Sequence, residues 1–447
     1  VIPQLMIPLL VLGCKGGGVQ ISDVTLTPSP DVVTVATVRW TTSEAAASHV
    51  HFWTADRELD TPTETSPGTE HQAVLLGLTA GTDVQYQVVV DSDGSSSDTA
   101  SFTTGDLPGE LPSFAVSGEG QDSWLLTPII GSATGPVMLS PEGQIVWYHV
   151  DQRGLDVYRV RPLADGSGVV YNAAAVSGDP ADNSELVMVP WDGSQETSIA
   201  VPLLAHDFVE LPEGGYAAIV VKYQDGPDGT PLRGDSIVEV APDGSQTELW
   251  STWDCFDPAQ TPGDEPAIGW TFVNALDYDA DLDAFRLSIR NFSSIVQVDR
   301  ATGACQWAIG GQAASADLGA DTQQIQIESG AFHHEHQFDL LDNGNLLVFD
   351  NAGAGGNTSR AIEYAIDWTA GTASEVWRYQ PSSPTVYSFV LGDVHRYPDG
   401  DTFITWSVAG QMNRVTADGN VKWTLNSDLG YAFGFTSLMQ TPYELVP

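Results

Sequence analysis

The sequence predicts an all-β protein: a six-bladed β-propeller preceded by a small β-sandwich. Three observations carry that expectation. A strand–turn–strand phrase recurs six times, its turn glycine falling at Gly143, Gly193, Gly244, Gly303, Gly371 and Gly419, at intervals of 50, 51, 59, 68 and 48 residues. A period near 50 made only of strands and turns is the signature of propeller blades. No long amphipathic helical pattern competes with it. The first hundred residues, by contrast, carry short alternating strands without that repeat. With 447 residues and 42% hydrophobic side chains, the chain is large enough to bury a substantial core.

Taken in order, residues 1–12 read VIPQLMIPLLVL, an apolar run too short to span a membrane. It leads into Gly13, Cys14, Lys15 and three glycines, the pattern of a bacterial lipoprotein signal. Residues 1–18 are therefore expected to be a signal and Gly-rich tether. Cys14 would be the lipidated N-terminus, and the protein exported and lipid-anchored in the periplasm or on the cell surface. A buried hydrophobic strand with a chance cysteine is the plainer alternative. Residues 19–105 alternate as VATVRWTT (35–42), SHVHFW (48–53), HQAVLLGL (71–78) and VQYQVVV (84–90). Trp40, a turn with Leu78 and then Tyr86 resemble a fibronectin type III or immunoglobulin-like sandwich. His49 and His51 share a strand face there, which permits a metal pair, although solvent-facing strand histidines, His71 included, are the commoner case. Residues 106–114 read as a Pro/Gly-rich linker, and 115–447 as the propeller.

Charge excludes one class of function. Lys and Arg total 16 against 59 Asp and Glu, a net charge of −43, so no surface of this chain is suited to a run of phosphates and no nucleic-acid partner is expected. The membrane is expected as a partner only through the lipid anchor. Cysteines are sparse. In an exported protein Cys255 and Cys305, the two left after Cys14, are expected to form a disulfide.

A second phrase carries the chemistry. His206-Asp207-Phe208-Val209-Glu210-Leu211-Pro212-Glu213-Gly214 matches His336-Gln337-Phe338-Asp339-Leu340-Leu341-Asp342-Asn343-Gly344, each histidine eight residues before its turn glycine. The same count back from Gly166 and Gly400 reaches Tyr158 and Gly392. Equivalent positions of innermost strands point at one axial spot, so two repeats deliver imidazoles to the same place.

From Ala115 onward the chain resembles the bacterial arylsulfate sulfotransferases, most specifically in FHHEHQFDLLDNGNLLVFDN (332–351), SRAIEYAIDWTAGTASEVWRY (359–379) and the segment 273–311. The resemblance implies a cofactor-free enzyme moving a sulfuryl group from an aryl sulfate to a phenolic acceptor through a sulfated histidine. By position, it implies that His336 is the nucleophile. His206, Asn274 and Arg290, the last read as lying on an inner strand, would hold the sulfuryl oxygens. Phe272 stands where the family carries a further histidine. Neutral imidazole suits nucleophilic work near pH 7, and a guanidinium fork suits sulfate oxygens. No metal is expected: His334 and His336, read as sharing one strand face with Glu335 opposite, offer too few ligands, and Asp279–Asp283 reads as an acidic turn. The alternative function is a catalytically impaired propeller serving as a cell-surface ligand-binding or adhesion protein.

Overall fold

The structure, a computed structural model, describes residues 18–64, 66–175, 180–260, 269–310, 318, 321–352, 356–427 and 430–445. The expected signal segment and Cys14 lie outside the described residues. Among those residues the secondary structure is strands, turns and short 3-10 turns with no α-helix, so no helix there is long and apolar enough to cross a membrane. Contacts divide the chain into two compact units. One takes in the residues up to Pro28, Ala36–Leu75 and Gly81–Thr104; the other takes in Ser29–Val35, Leu76–Ala80 and the chain from Gly105 onward.

The N-terminal unit has a three-stranded sheet (Ile21–Pro28, Ala36–Ala46, Gly68–Leu75) and a four-stranded sheet ordered Glu58–Asp60, Ser48–Trp53, Asp83–Val90, Ala100–Thr103. Its strands form because apolar and polar residues alternate: Val50 and Phe52, then Val84, Tyr86, Val88 and Val90, all turn inward. Trp40 is buried with its indole N–H donating to Ser48 Oγ at 3.0 Å. His71 departs from the expectation of a solvent-facing residue. It is buried, stacks on Trp40 at 5.3 Å, and bonds Thr42 Oγ1 and Glu64. An imidazole with both nitrogens partnered is cheap to bury. His49 and His51 face outward, paired with Asp91 and Asp60 at 2.6 and 2.8 Å.

In the larger unit each of the six repeated phrases is an antiparallel hairpin, from Gly135–Leu139 with Ile145–Tyr148 to Gln411–Val415 with Val421–Ser427. All six turn glycines lie at φ of 67–82°, the left-handed region that a side chain would strain. Two meanders of four strands stand alone: Asp156–Pro162 through Thr197–Ala200, and Leu204–Glu210 through Gln246–Ser251. The next two, Val273–Asp279 through Cys305–Gly310 and Phe338–Leu340 through Thr372–Tyr379, join into one nine-stranded sheet. Gln323–Ile327 bridges them by short parallel pairings. Asp393–Arg396 through Val421–Ser427 gains Phe114–Gly118 as a fifth strand. In the remaining sheet Ser437–Thr441, from near the end of the chain, pairs with Trp124–Ile130 and so covers an edge that would otherwise be open.

Cys255 and Cys305 form a disulfide, Cα to Cα 6.0 Å, tying the turn after Gln246–Ser251 to the strand Cys305–Gly310 of the following meander. It closes a loop 50 residues long. In the chain-entropy picture, replacing both cysteines by serine costs about 4 kcal/mol. Urea unfolding of Cys255→Ser/Cys305→Ser should show that loss, and wild-type protein under reducing conditions should match it.

Candidate active site

In three of the meanders the first strand carries an irregularity at its early residues, and the reason is local. Pairing of Asp156–Pro162 slips between Val157 and Val160, that of Leu204–Glu210 between Leu204 and Phe208, and that of Val273–Asp279 between Val273 and Ala275. Each irregularity spans the repeat position: Tyr158, His206 and Asn274. Such a bulge turns a side chain away from its normal alternation. Asn172 fills the gap, accepting from the backbone N–H of Tyr158 and Arg159 and donating to the carbonyls of Ala205 and His206.

The structure brings the sequence-derived residues together. The His206 ring lies 5.4 Å from Tyr158, 6.1 Å from His336 and 5.0 Å from Phe272, centroid to centroid. Phe435 stands 6.4 Å beyond His336. His206, Asn274, Arg290 and His336 are all buried. The segment around His336 is not the regular strand that alternation suggested. The strand begins only at Phe338; His334 sits at φ 54°, and His334, Glu335 and His336 are all buried, with Glu335 Oε1 accepting from Ser288 Oγ at 3.0 Å. Burial pushes the Glu335 carboxyl well above the usual carboxylate range. Its backbone carbonyl accepts from Asn274 Nδ2 at 2.9 Å, which turns the Asn274 amide oxygen, without a hydrogen-bond partner among the described residues, away from it.

His336 is held by Asn351, a residue the sequence reading missed. Asn351 Nδ2 donates to the carbonyls of Ser388 and Leu391 at 2.7 and 2.8 Å, which fixes its amide oxygen as the acceptor facing His336 Nδ1 at 2.9 Å. Nδ1 therefore carries the proton and Nε2 the lone pair. Burial, then His206 and Arg290, hold the His336 imidazole well below its ordinary value, so it is neutral. His206 is pushed down to about 3 by burial and by the charges of Arg233 and Arg290.

Arg290 is not on an innermost strand, as the sequence suggested. It opens a 3-10 turn (Arg290–Phe292) immediately after Ala284–Ile289, the second strand of its meander, and its Nη1 donates to Asn291 Oδ1 at 2.9 Å. Its guanidinium carbon lies 5.8 Å from the Phe272 ring centre, and that of Arg233 5.3 Å. Phe272 adopts φ 57°, a conformation costing a bulky residue about 1–3 kcal/mol. Asp235 restrains the turn, its Oδ2 accepting from Thr271 Oγ1 and from the Val273 N–H at 2.8 and 2.9 Å. Burial raises Asp235 to about 6. One residue past His206, buried Asp207 accepts from Arg159, Gln337 and the backbone of Leu276 and Phe208, at 2.9–3.2 Å. Burial alone would raise its carboxyl, but Arg159 and Arg161 outweigh that and hold it low.

No motif marks Asn351, Arg233 or Asp235 as a site residue. The only available signal was the Asp350-Asn351 step at the end of the second strand of the His336 meander. A cavity of about 920 Å³ lies further along the inner strands, lined by residues of mixed charge such as Arg161, Glu210, Asp277, Asp339 and His395, and by none of the four proposed site residues. Among the described residues no three of His, Cys, Asp and Glu are placed to hold a metal ion.

Residues 21–104 match the model of the purple acid phosphatase N-terminal domain. A search of the curated proteins finds no match. Solved structures that resemble the chain include a protein of unknown function from Bacteroides caccae (15% identity, 72% of this chain and 100% of that one, TM-score 0.43). Others are a virginiamycin B lyase from Staphylococcus aureus (12%, 69% and 88%, TM-score 0.39) and a putative 6-phosphogluconolactonase from Bacteroides uniformis (11%, 89% and 100%, TM-score 0.35). Likeness of that size says nothing of activity. The arylsulfotransferase (ASST) model matches residues 132–433, two thirds of the sequence, a span that takes in His206, Asn274, Arg290 and His336, and the chain belongs to that family.

Proposed function

We propose that the protein is an exported arylsulfotransferase that carries a sulfuryl group from an aryl sulfate to a phenol on His336. The scaffold we infer is a six-bladed propeller preceded in the chain by a fibronectin type III-like module, with a tether through lipidated Cys14. Six hairpins of one pattern support the blade count. The observation that carries the chemistry is the Asn351 contact, which leaves the lone pair on His336 Nε2.

In the first half-reaction Nε2 forms a bond to sulfur while the sulfur–aryl oxygen bond breaks, its electron pair leaving on the phenolate, which takes a proton from water. In the second, the acceptor's phenolic oxygen attacks sulfur, the nitrogen–sulfur pair returns to Nε2, and the phenolic proton is released. Negative charge spreads over the three peripheral oxygens of such a loose transition state, so fixed positive charge does most of the work. Arg290 supplies it, with Asn274 and His206 beside it. A net charge of −43 repels anionic donors at long range, so attraction has to come from the buried guanidinium of Arg290.

The test is transfer from an aryl sulfate with a coloured leaving phenolate to a second phenol, together with the mass of the His336 peptide after donor alone. An adduct of one SO₃ on that peptide supports the reading; no transfer and no adduct returns the molecule to the binding-protein alternative.

The pH dependence follows from the depressed imidazoles. A nucleophilic histidine at its ordinary value would lose activity about tenfold per unit below pH 6.5. Because burial, His206 and Arg290 keep His336 neutral well below that, kcat/KM should stay level from pH 7 to 5, and a limb with its inflection at 6.5 would contradict the site geometry. Stability runs the other way. The unfolded chain protonates both histidines below 6.5 and the folded one does not, so their burial erodes stability as pH falls through that window. Asp235, raised in the fold, opposes this by gaining its proton more readily when folded.

A further inference from the structure

We infer that Arg233 is a second guanidinium of the anion site, acting with Arg290 on the oxygens of the transferring sulfuryl group; the inference rests on reading this site as an arylsulfotransferase site. Arg233 and Arg290 both lie within 6 Å of the Phe272 ring centre, and that ring lies 5.0 Å from His206. Their charges are then no more than about 11 Å apart in a setting where salt screens weakly. Two cations converging beside an imidazole that they help keep neutral add their fields at that place, and the sum favours an anion there.

The placement of Arg233 is built rather than incidental. Its carbonyl accepts from the Trp270 N–H at 2.7 Å, and two residues on, Asp235 bonds Thr271 and Val273, so the strand carrying Arg233 is stitched to the turn carrying Phe272 on both sides of that ring. Gly269 completes the fit: at φ 127° a Cβ there would come within 3.1 Å of the Arg233 carbonyl oxygen and 3.3 Å of its Cδ. Phe272 occupies the position at which the family resemblance led us to expect a histidine donor. The Phe272 ring lies beside both guanidiniums, and Arg233 restores positive charge near the place an imidazole donor would have held. A sulfuryl group has three peripheral oxygens, one more than a single guanidinium fork pairs with, so the site has use for a second guanidinium.

The experiment compares Arg233→Met and Arg233→Lys in the full chain. Expected is a fall in kcat/KM for the aryl sulfate of about 10²–10³ in Arg233→Met, mostly in kcat, with partial rescue in Arg233→Lys. Binding of 4-nitrophenyl sulfate is measured separately by calorimetry on a His336→Ala background, where no turnover occurs; adding Arg233→Met should weaken it at least about tenfold. Donor binding unchanged by Arg233→Met, or no donor binding at all, overturns the role of Arg233. A protein that binds donor through Arg233 yet shows no transfer overturns the arylsulfotransferase reading and leaves this one standing. Should Arg233→Met fail to fold, Arg233→Gln with a titration of the His206 ring protons by NMR decides. The His206 titration should move up when the neighbouring charge is gone, and an unmoved titration overturns the inference.

Discussion

His336→Ala should abolish sulfuryl transfer, lowering kcat by a factor on the order of 10⁴ or more, because removing a nucleophile leaves only the binding contribution of the site. Donor binding should survive, since Arg290 and Arg233 remain. Three features of the ring lead to that expectation on the proposed mechanism. The ring is buried and oriented by Asn351, its lone pair is assigned to Nε2 by the two carbonyls that bind the Asn351 amide nitrogen, and its neutrality is maintained by burial and neighbouring charge. The checks are the transfer assay and the mass of the His336 peptide. Residual transfer within about tenfold of wild type would assign the nucleophile elsewhere, with His206 the nearest imidazole.

Asp207→Ala should be the most destabilising single change, by about 3–5 kcal/mol. Its carboxylate joins three first strands and the segment that leads into a fourth, taking Arg159 from one strand, the Leu276 N–H from another, the N–H of Phe208 from its own, and Gln337 from just before Phe338–Leu340. The Arg159 side chain is 5% exposed, so deleting the carboxylate strands a buried guanidinium rather than returning it to water. Urea unfolding should show a lowered midpoint with an unchanged slope. A loss under about 1 kcal/mol would mean that Asp393, whose Oδ2 lies 3.9 Å from Arg159 Nη1, takes over as partner.

Much of this was legible from the residues alone. The repeated turn glycines are confined by the left-handed backbone, so their spacing in the chain marks hairpins directly, and the structure shows a hairpin at each. His206 and His336 were found by counting from such glycines, because equivalent repeat positions occupy equivalent places. Arg290 was found at its position but assigned to the wrong element. A run of apolar residues does not say which strand of a meander is innermost, and Arg290 lies past the second. Asn351, Arg233 and Asp235 were not legible. Each acts through a contact with a residue distant in the chain, or with a turn whose path no local pattern records.

The sequence by itself determined the all-β class, the division into a repetitive and a non-repetitive part, the disulfide partners and the two imidazoles, because each follows from local backbone preference, repeat counting or simple elimination. Only tertiary structure decided which nitrogen of His336 bears the proton, how Phe272 comes to lie beside two guanidiniums, and that Asp207 joins three strands and the segment before a fourth. Those depend on hydrogen-bond directions and ring distances a few ångströms long between residues up to 130 positions apart, and no periodicity along a chain encodes a direction in space.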